Sequence, residues 1–183
     1  MLQFLPNLIS LARLLAVPAT VWLILTDRYN SAFWLFVAAG ISDALDGYLA
    51  RRLETRSEVG AYLDPLADKA LLTSVYVALG YAGHMPAWLV ILVVFRDILI
   101  IGGAMLYQLL TQHLTMQPLF VSKVNTTVQI TLAALVLAQL GLGFDSHGLD
   151  MALGYAAAAT TLVSGGAYIA VWGRRFVGSE TGR

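Results

Sequence analysis

The sequence predicts an all-α protein, an integral membrane bundle of six transmembrane helices, on three observations. Its 183 residues are 58% hydrophobic and only 12% charged, with a mean hydropathy of +0.74, a composition for which a bilayer is the fitting solvent. Apolar runs at 5–26, 30–50, 59–81, 86–110, 118–142 and 149–172 each approach or exceed the roughly 20 residues that cross a hydrocarbon core as a helix. Only short polar or Gly/Pro-bearing breaks separate them, so residues 1–183 are expected to form a single membrane domain.

The first run lacks a basic flank followed by a small-residue cleavage site and is expected to be a retained span; no lipidation motif is present. A break carrying Arg28 leads to the second run, whose end bears Asp43, Asp46, Arg51 and Arg52. A loop from about Arg52 to Val59 connects it to a third run that opens on Gly60, Asp64, Asp68 and Lys69. The fourth run holds Arg96 and Asp97, the fifth opens near Lys123, Asn125 and Gln129, and the Ala/Gly-rich sixth suits close helix packing.

Six spans put both termini on one side of the membrane. That side collects Arg51, Arg52, Arg56, Lys123, Arg174, Arg175 and Arg183, while the opposite loops hold only Arg28 among Lys and Arg. The positive-inside rule therefore places the termini and the Arg51–Arg56 loop in the cytoplasm, with Asp145 and Asp150 outside. The expected location is a bacterial inner membrane with a cytoplasmic active site. Trp22, Trp34, Trp88 and Trp172 fall near span ends, where tryptophans anchor to the interface or pack between helices.

Cysteine is absent, which excludes disulfides and thiolate metal sites. The formal net charge is zero, so there is no global attraction to nucleic acid and no such partner is expected. His84, His113 and His147 all fall in loops and read as solvated residues.

Charges inside apolar spans cost several kcal/mol each unless partnered or hydrated. Arg96 with Asp97, and Lys69, can be explained as an ion pair and a snorkelling side chain. Asp43, Asp46, Asp64 and Asp68 have no comparable set of nearby cations, so one or two divalent cations are the economical partners. Asp43 and Asp46 stand at i and i+3, sharing one face of the second helix; Gly60, Asp64 and Asp68 stand at i, i+4 and i+8, one stripe of the third. An antiparallel hairpin would bring these stripes together. Oxygen ligands suit Mg, Mn or Ca better than zinc. Gly47, Ala50 and Gly60 clear space for a nucleotide, and Arg51 is a suitable phosphate donor or a plain positive-inside arginine.

Taken together, Asp43-Ala-Leu-Asp46-Gly47-Tyr-Leu-Ala50-Arg51, eight residues, Gly60, three residues, Asp64, three residues and Asp68 resemble the signature of the CDP-alcohol phosphatidyltransferases. Pro6-Asn7-Leu8-Ile9-Ser10 with Arg13 looks like that family's opening on its first span. The resemblance implies a six-helix fold, commonly a homodimer. It also implies that Asp43, Asp46 and Asp64 hold two divalent cations (Mg2+ or Mn2+), that Asp68 contacts metal or acts as base, and that Gly47, Ala50, Arg51 and Gly60 line the CDP site.

Within the family, Phe95-Arg96-Asp97-Ile98-Leu99-Ile100 and Val121-Ser122-Lys123-Val124-Asn125-Thr126-Thr127-Val128-Gln129 look like the CMP-forming cardiolipin synthases. Their substrates are CDP-diacylglycerol and phosphatidylglycerol. The related phosphatidylglycerophosphate synthases, which take glycerol 3-phosphate, remain the alternative. Arg13, Arg96 and Lys123 can hold either acceptor's phosphate, while Asn125 and Gln129 either bond its hydroxyls or glue spans together. A cation transporter or channel would explain the acids alone, without Gly47, Ala50, Arg51 and Gly60 in register.

Overall fold

The computed structural model describes residues 5–53, 58–111 and 120–180, with side chains over 12–42, 69–103 and 120–171. It is all-helical over those residues: α1 (Leu5–Leu25), α2 (Tyr29–Leu53), α3 (Glu58–Tyr81), α4 (Ala87–Thr111), α5 (Phe120–Leu142) and α6 (Leu149–Glu180). The expected helix count and order hold. The largest difference in boundaries is at the end of α6, expected at 172 but continuing to Glu180. The apolar run ends there, yet no proline follows it, and arginine is a good helix former. Among the described residues, α5 is the one helix long and apolar enough to cross a membrane, and the shorter Ala12–Leu25 stretch of α1 is also apolar.

Local chemistry ends the helices where the apolar runs break. After α1, Asp27 takes a left-handed backbone (φ 58°), and Arg28 N–H returns to Leu23 O at 2.8 Å. After α3, Gly83 does the same (φ 80°), with His84 N–H bonded to Leu79 O at 2.9 Å. Both closures satisfy carbonyls that the helix leaves open, using residue types that tolerate positive φ. Gly143 (φ 71°) stops α5 in the same way. Ahead of α6, Ser146 Oγ donates to Asp150 Oδ1 at 2.7 Å, which orients an acid at the positive end of the helix dipole.

The chain falls into two compact units, each with its own core. The first comprises residues 1–87 and 133–150. Here α1 packs along both α2 and α3, and the spacing of Leu71, Leu72, Val75, Tyr76 and Leu79 on α3 buries one continuous helical face. Gly141, near the end of α5, meets the start of α2: a Cβ there would lie 2.8 Å from Asn30 Cα and 2.9 Å from Tyr29 C. Asn30 Nδ2 donates to Gly141 O at 3.1 Å. Gly141→Ala is therefore expected to force backbone apart and cost about 1–3 kcal/mol, measured as a lower Tm of the purified protein.

A polar clasp lies at the same end of this unit, ahead of the apolar 30–50 stretch. Tyr29 Oη donates to Asp27 Oδ1 at 2.6 Å and lies 2.8 Å from His84 Nε2. The hydrogen bond to Asp27, with burial and the carboxylate's charge adding to it, pushes the Tyr29 phenol up from 10.0 to about 12. A group whose pKa rises on folding contributes stability below its unfolded pKa and loses it as pH climbs through the folded one. The advantage of the native chain over Tyr29→Phe is thus expected to hold below about pH 10 and to fade by about pH 12, read from Tm against pH.

The second unit comprises residues 88–132 and 151–183. Leu89, Val93, Arg96 and Asp97 form the buried face of α4, and Ala157, Ala158, Thr161, Ser164 and Tyr168 that of α6. The remaining face of α4 carries Trp88, Ile91, Phe95 and Ile98, with Ile91, Phe95 and Ile98 67%, 63% and 64% exposed.

Candidate functional site

The residues expected to bind metal and nucleotide all lie on two helices of the first unit. Asp43, Asp46, Gly47, Ala50 and Arg51 stand on the last part of α2, and Gly60, Asp64 and Asp68 on the first half of α3. Their side chains lie outside the described residues. The backbone is helical through both stretches, which is the condition under which the i, i+3 and i, i+4, i+8 spacings act as stripes. A donor set of four carboxylates fits hard divalent cations of the Mg or Mn kind. Among the described residues no group of three or more His, Asp or Glu comes together. His84 and His147 lie in loops, as expected, and His113 lies outside the described residues.

The expected acceptor residues divide between the two units. Arg13 belongs to α1 in the first and is 3% exposed. Arg96, Lys123, Asn125 and Gln129 belong to the second, and there the structure draws three of them into a polar seam. Arg96 is 3% exposed. Its Nη1 donates to Asp97 Oδ1 at 2.8 Å, forming a buried ion pair between neighbours in sequence. Its Nη2 donates to Ser122 Oγ on α5 at 2.7 Å and also to Ser164 Oγ on α6. One guanidinium thus ties three helices together.

Further along α5, Asn125 Oδ1 accepts from Thr160 Oγ1 and from Thr161 Oγ1, each at 2.9 Å. Gln129 Nε2 donates to Thr161 Oγ1 at 3.2 Å. Asn125 and Gln129 are both fully buried, so in this structure they act as the polar joint between α5 and α6. Lys123 is exposed. Sequence reasoning did not single out Thr160, Thr161 and Ser164; the available signal was three hydroxyl residues within five positions of an apolar span. Hydroxyls in such helices also bond their own backbone, as Thr160 does to Ala156 O at 2.8 Å, so composition alone does not mark them as partners of another helix.

A family model described as CDP-alcohol phosphatidyltransferase matches residues 3–163. Among curated relatives, the chain is 36% identical over 178 residues to the chloroplastic CDP-diacylglycerol–glycerol-3-phosphate 3-phosphatidyltransferase 1 of Oryza sativa subsp. japonica, covering 87% of this chain and 54% of that protein. It is 37% identical over 149 residues to the cardiolipin synthase (CMP-forming) of Homo sapiens, covering 73% and 50%. The probable cardiolipin synthase (CMP-forming) of Drosophila melanogaster is 31% identical over 180 residues, covering 90% and 56%. The chain spans about half the length of these relatives. The family model covers both helices of the aspartate signature and most of the remaining bundle, and the chain belongs to the CDP-alcohol phosphatidyltransferase family.

Proposed function

We propose that the protein transfers the phosphatidyl group of CDP-diacylglycerol to phosphatidylglycerol, forming cardiolipin and releasing CMP. The observation that carries this reading is the family match, which includes every position of the signature from Asp43 to Asp68. Relatives named cardiolipin synthase favour phosphatidylglycerol as the acceptor. A second reading, transfer to glycerol 3-phosphate, is favoured by the rice relative, whose name states that reaction. Family membership accounts for the acids, the small residues and Arg51 together, which a cation pathway would not require.

In this reading Asp43, Asp46 and Asp64 would hold two divalent cations, with Asp68 contacting metal or acting as base. The cations supply charge neutralisation of the pyrophosphate. Asp68 takes the proton of the acceptor hydroxyl as its oxygen attacks the phosphorus bearing diacylglycerol. The bond from that phosphorus to the bridging oxygen breaks, and CMP leaves with the electron pair. Gly47, Ala50 and Gly60 make room for the cytidine diphosphate, and Arg51 donates to its phosphates.

The reading places all six helices in a membrane as one domain, with cytoplasmic termini, and takes the family's homodimer as the assembly. Large apolar side chains exposed along α4 support a lipid-facing surface. The experiment is transfer by purified protein from CDP-diacylglycerol with Mg or Mn, to phosphatidylglycerol and separately to glycerol 3-phosphate. Cardiolipin as product supports the first reading; phosphatidylglycerophosphate supports the second; no lipid product with either acceptor overturns both.

A further inference from the structure

Arg96 and Lys123 are both basic residues of the second unit, yet their settings differ. Arginine offers five N–H donors, and a phosphate uses them in pairs: Nε with Nη2 along one edge, or Nη1 with Nη2 across the end. Both pairs run through Nη2. In this structure Nη2 is bonded to Ser122 Oγ and to Ser164 Oγ, which uses both its hydrogens. The charge is balanced as well, since Nη1 reaches Asp97 Oδ1 at 2.8 Å. The guanidinium is 3% exposed, and the stem lies beside Gly165, where a Cβ would sit 3.7 Å from Arg96 Cγ. No two-pronged grip on an anion remains. Lys123 is the next residue after Ser122, and it is exposed.

We infer that Arg96 is a positioning residue: through its bond to Ser122 it fixes the opening turn of α5, and so presents Lys123 to the phosphate of an anionic acceptor. The inference rests on the transferase reading above and assigns different work to two residues that the sequence makes look alike. Ser164 holds the other side of the same Nη2, so the turn is set by α4 and α6 together. Thr126 Oγ1 and Thr127 Oγ1 bond back to Ser122 O and Lys123 O at 3.1 and 3.0 Å, continuing the ordered turn into the helix.

The test is a double-mutant cycle on the full-length purified protein, using Ser122→Ala, Lys123→Gln and the two combined. Initial rates are measured against CDP-diacylglycerol and against phosphatidylglycerol or glycerol 3-phosphate, whichever the native chain accepts. Ser122→Ala is expected to raise the acceptor KM roughly tenfold with the donor KM unchanged, and to add less than about twofold once Lys123 is glutamine, because neighbours in one network are not additive. Arg96→Lys should match Ser122→Ala, since an ammonium keeps the charge but not the planar fork. Additive effects of Ser122→Ala and Lys123→Gln, or an acceptor KM unmoved by Ser122→Ala, would overturn the inference while leaving the transferase reading intact. A native chain that transfers to neither acceptor would overturn the reading and this inference with it.

Discussion

Asp68→Asn is expected to reduce phosphatidyl transfer by about 10²–10⁴-fold, the usual contribution of a positioned proton acceptor, while leaving Tm nearly unchanged. Asparagine keeps the size of the side chain and removes the charge and the basic oxygen. Initial rates of CMP release, measured with the melting curve of the same preparation, separate loss of chemistry from loss of fold. Full activity in Asp68→Asn would sink the proposed mechanism. Asp43→Asn and Asp64→Asn belong to the same experiment with a different signature: removing a metal-holding carboxylate should raise the Mg or Mn concentration needed for half-maximal rate.

The second large effect concerns stability. Asp97→Leu is expected to cost about 3–5 kcal/mol, because it strips the carboxylate from a guanidinium that stays buried. For a chain of this size that is a fall in Tm of roughly 6–20 °C. Replacing both members, Arg96→Met with Asp97→Leu, should recover much of the loss, since a buried pair exchanged for apolar side chains is often neutral. The double variant should nonetheless show the raised acceptor KM inferred for loss of the Arg96–Ser122 bond. A double variant no more stable than Asp97→Leu alone would contradict the ion-pair account.

The helices were legible because their signal is local. Each apolar run carries its own length and its own breaks, and the breaks at Asp27, Gly83 and Gly143 became left-handed turns in the structure. The residues that such a reading misses are those whose importance is relational, such as Ser164 and Thr161. A serine in an apolar helix has the same local signature whether it bonds its own backbone or another helix.

The candidate donor site was equally local. Asp43 and Asp46 lie within one turn of α2, and Gly60, Asp64 and Asp68 within three turns of α3, so spacing alone determined that each set belongs to one helical stripe. The partners of Arg96 are another matter: Ser122 is 26 residues away in sequence and Ser164 is 68. The sequence determined that this arginine would be costly in an apolar span. The ion pair with its neighbour Asp97 could be read from the sequence; only the tertiary structure decided that Nη2 goes to two serines, because which side chains meet across helices depends on how each helix is rotated about its axis, and hydropathy does not encode that rotation.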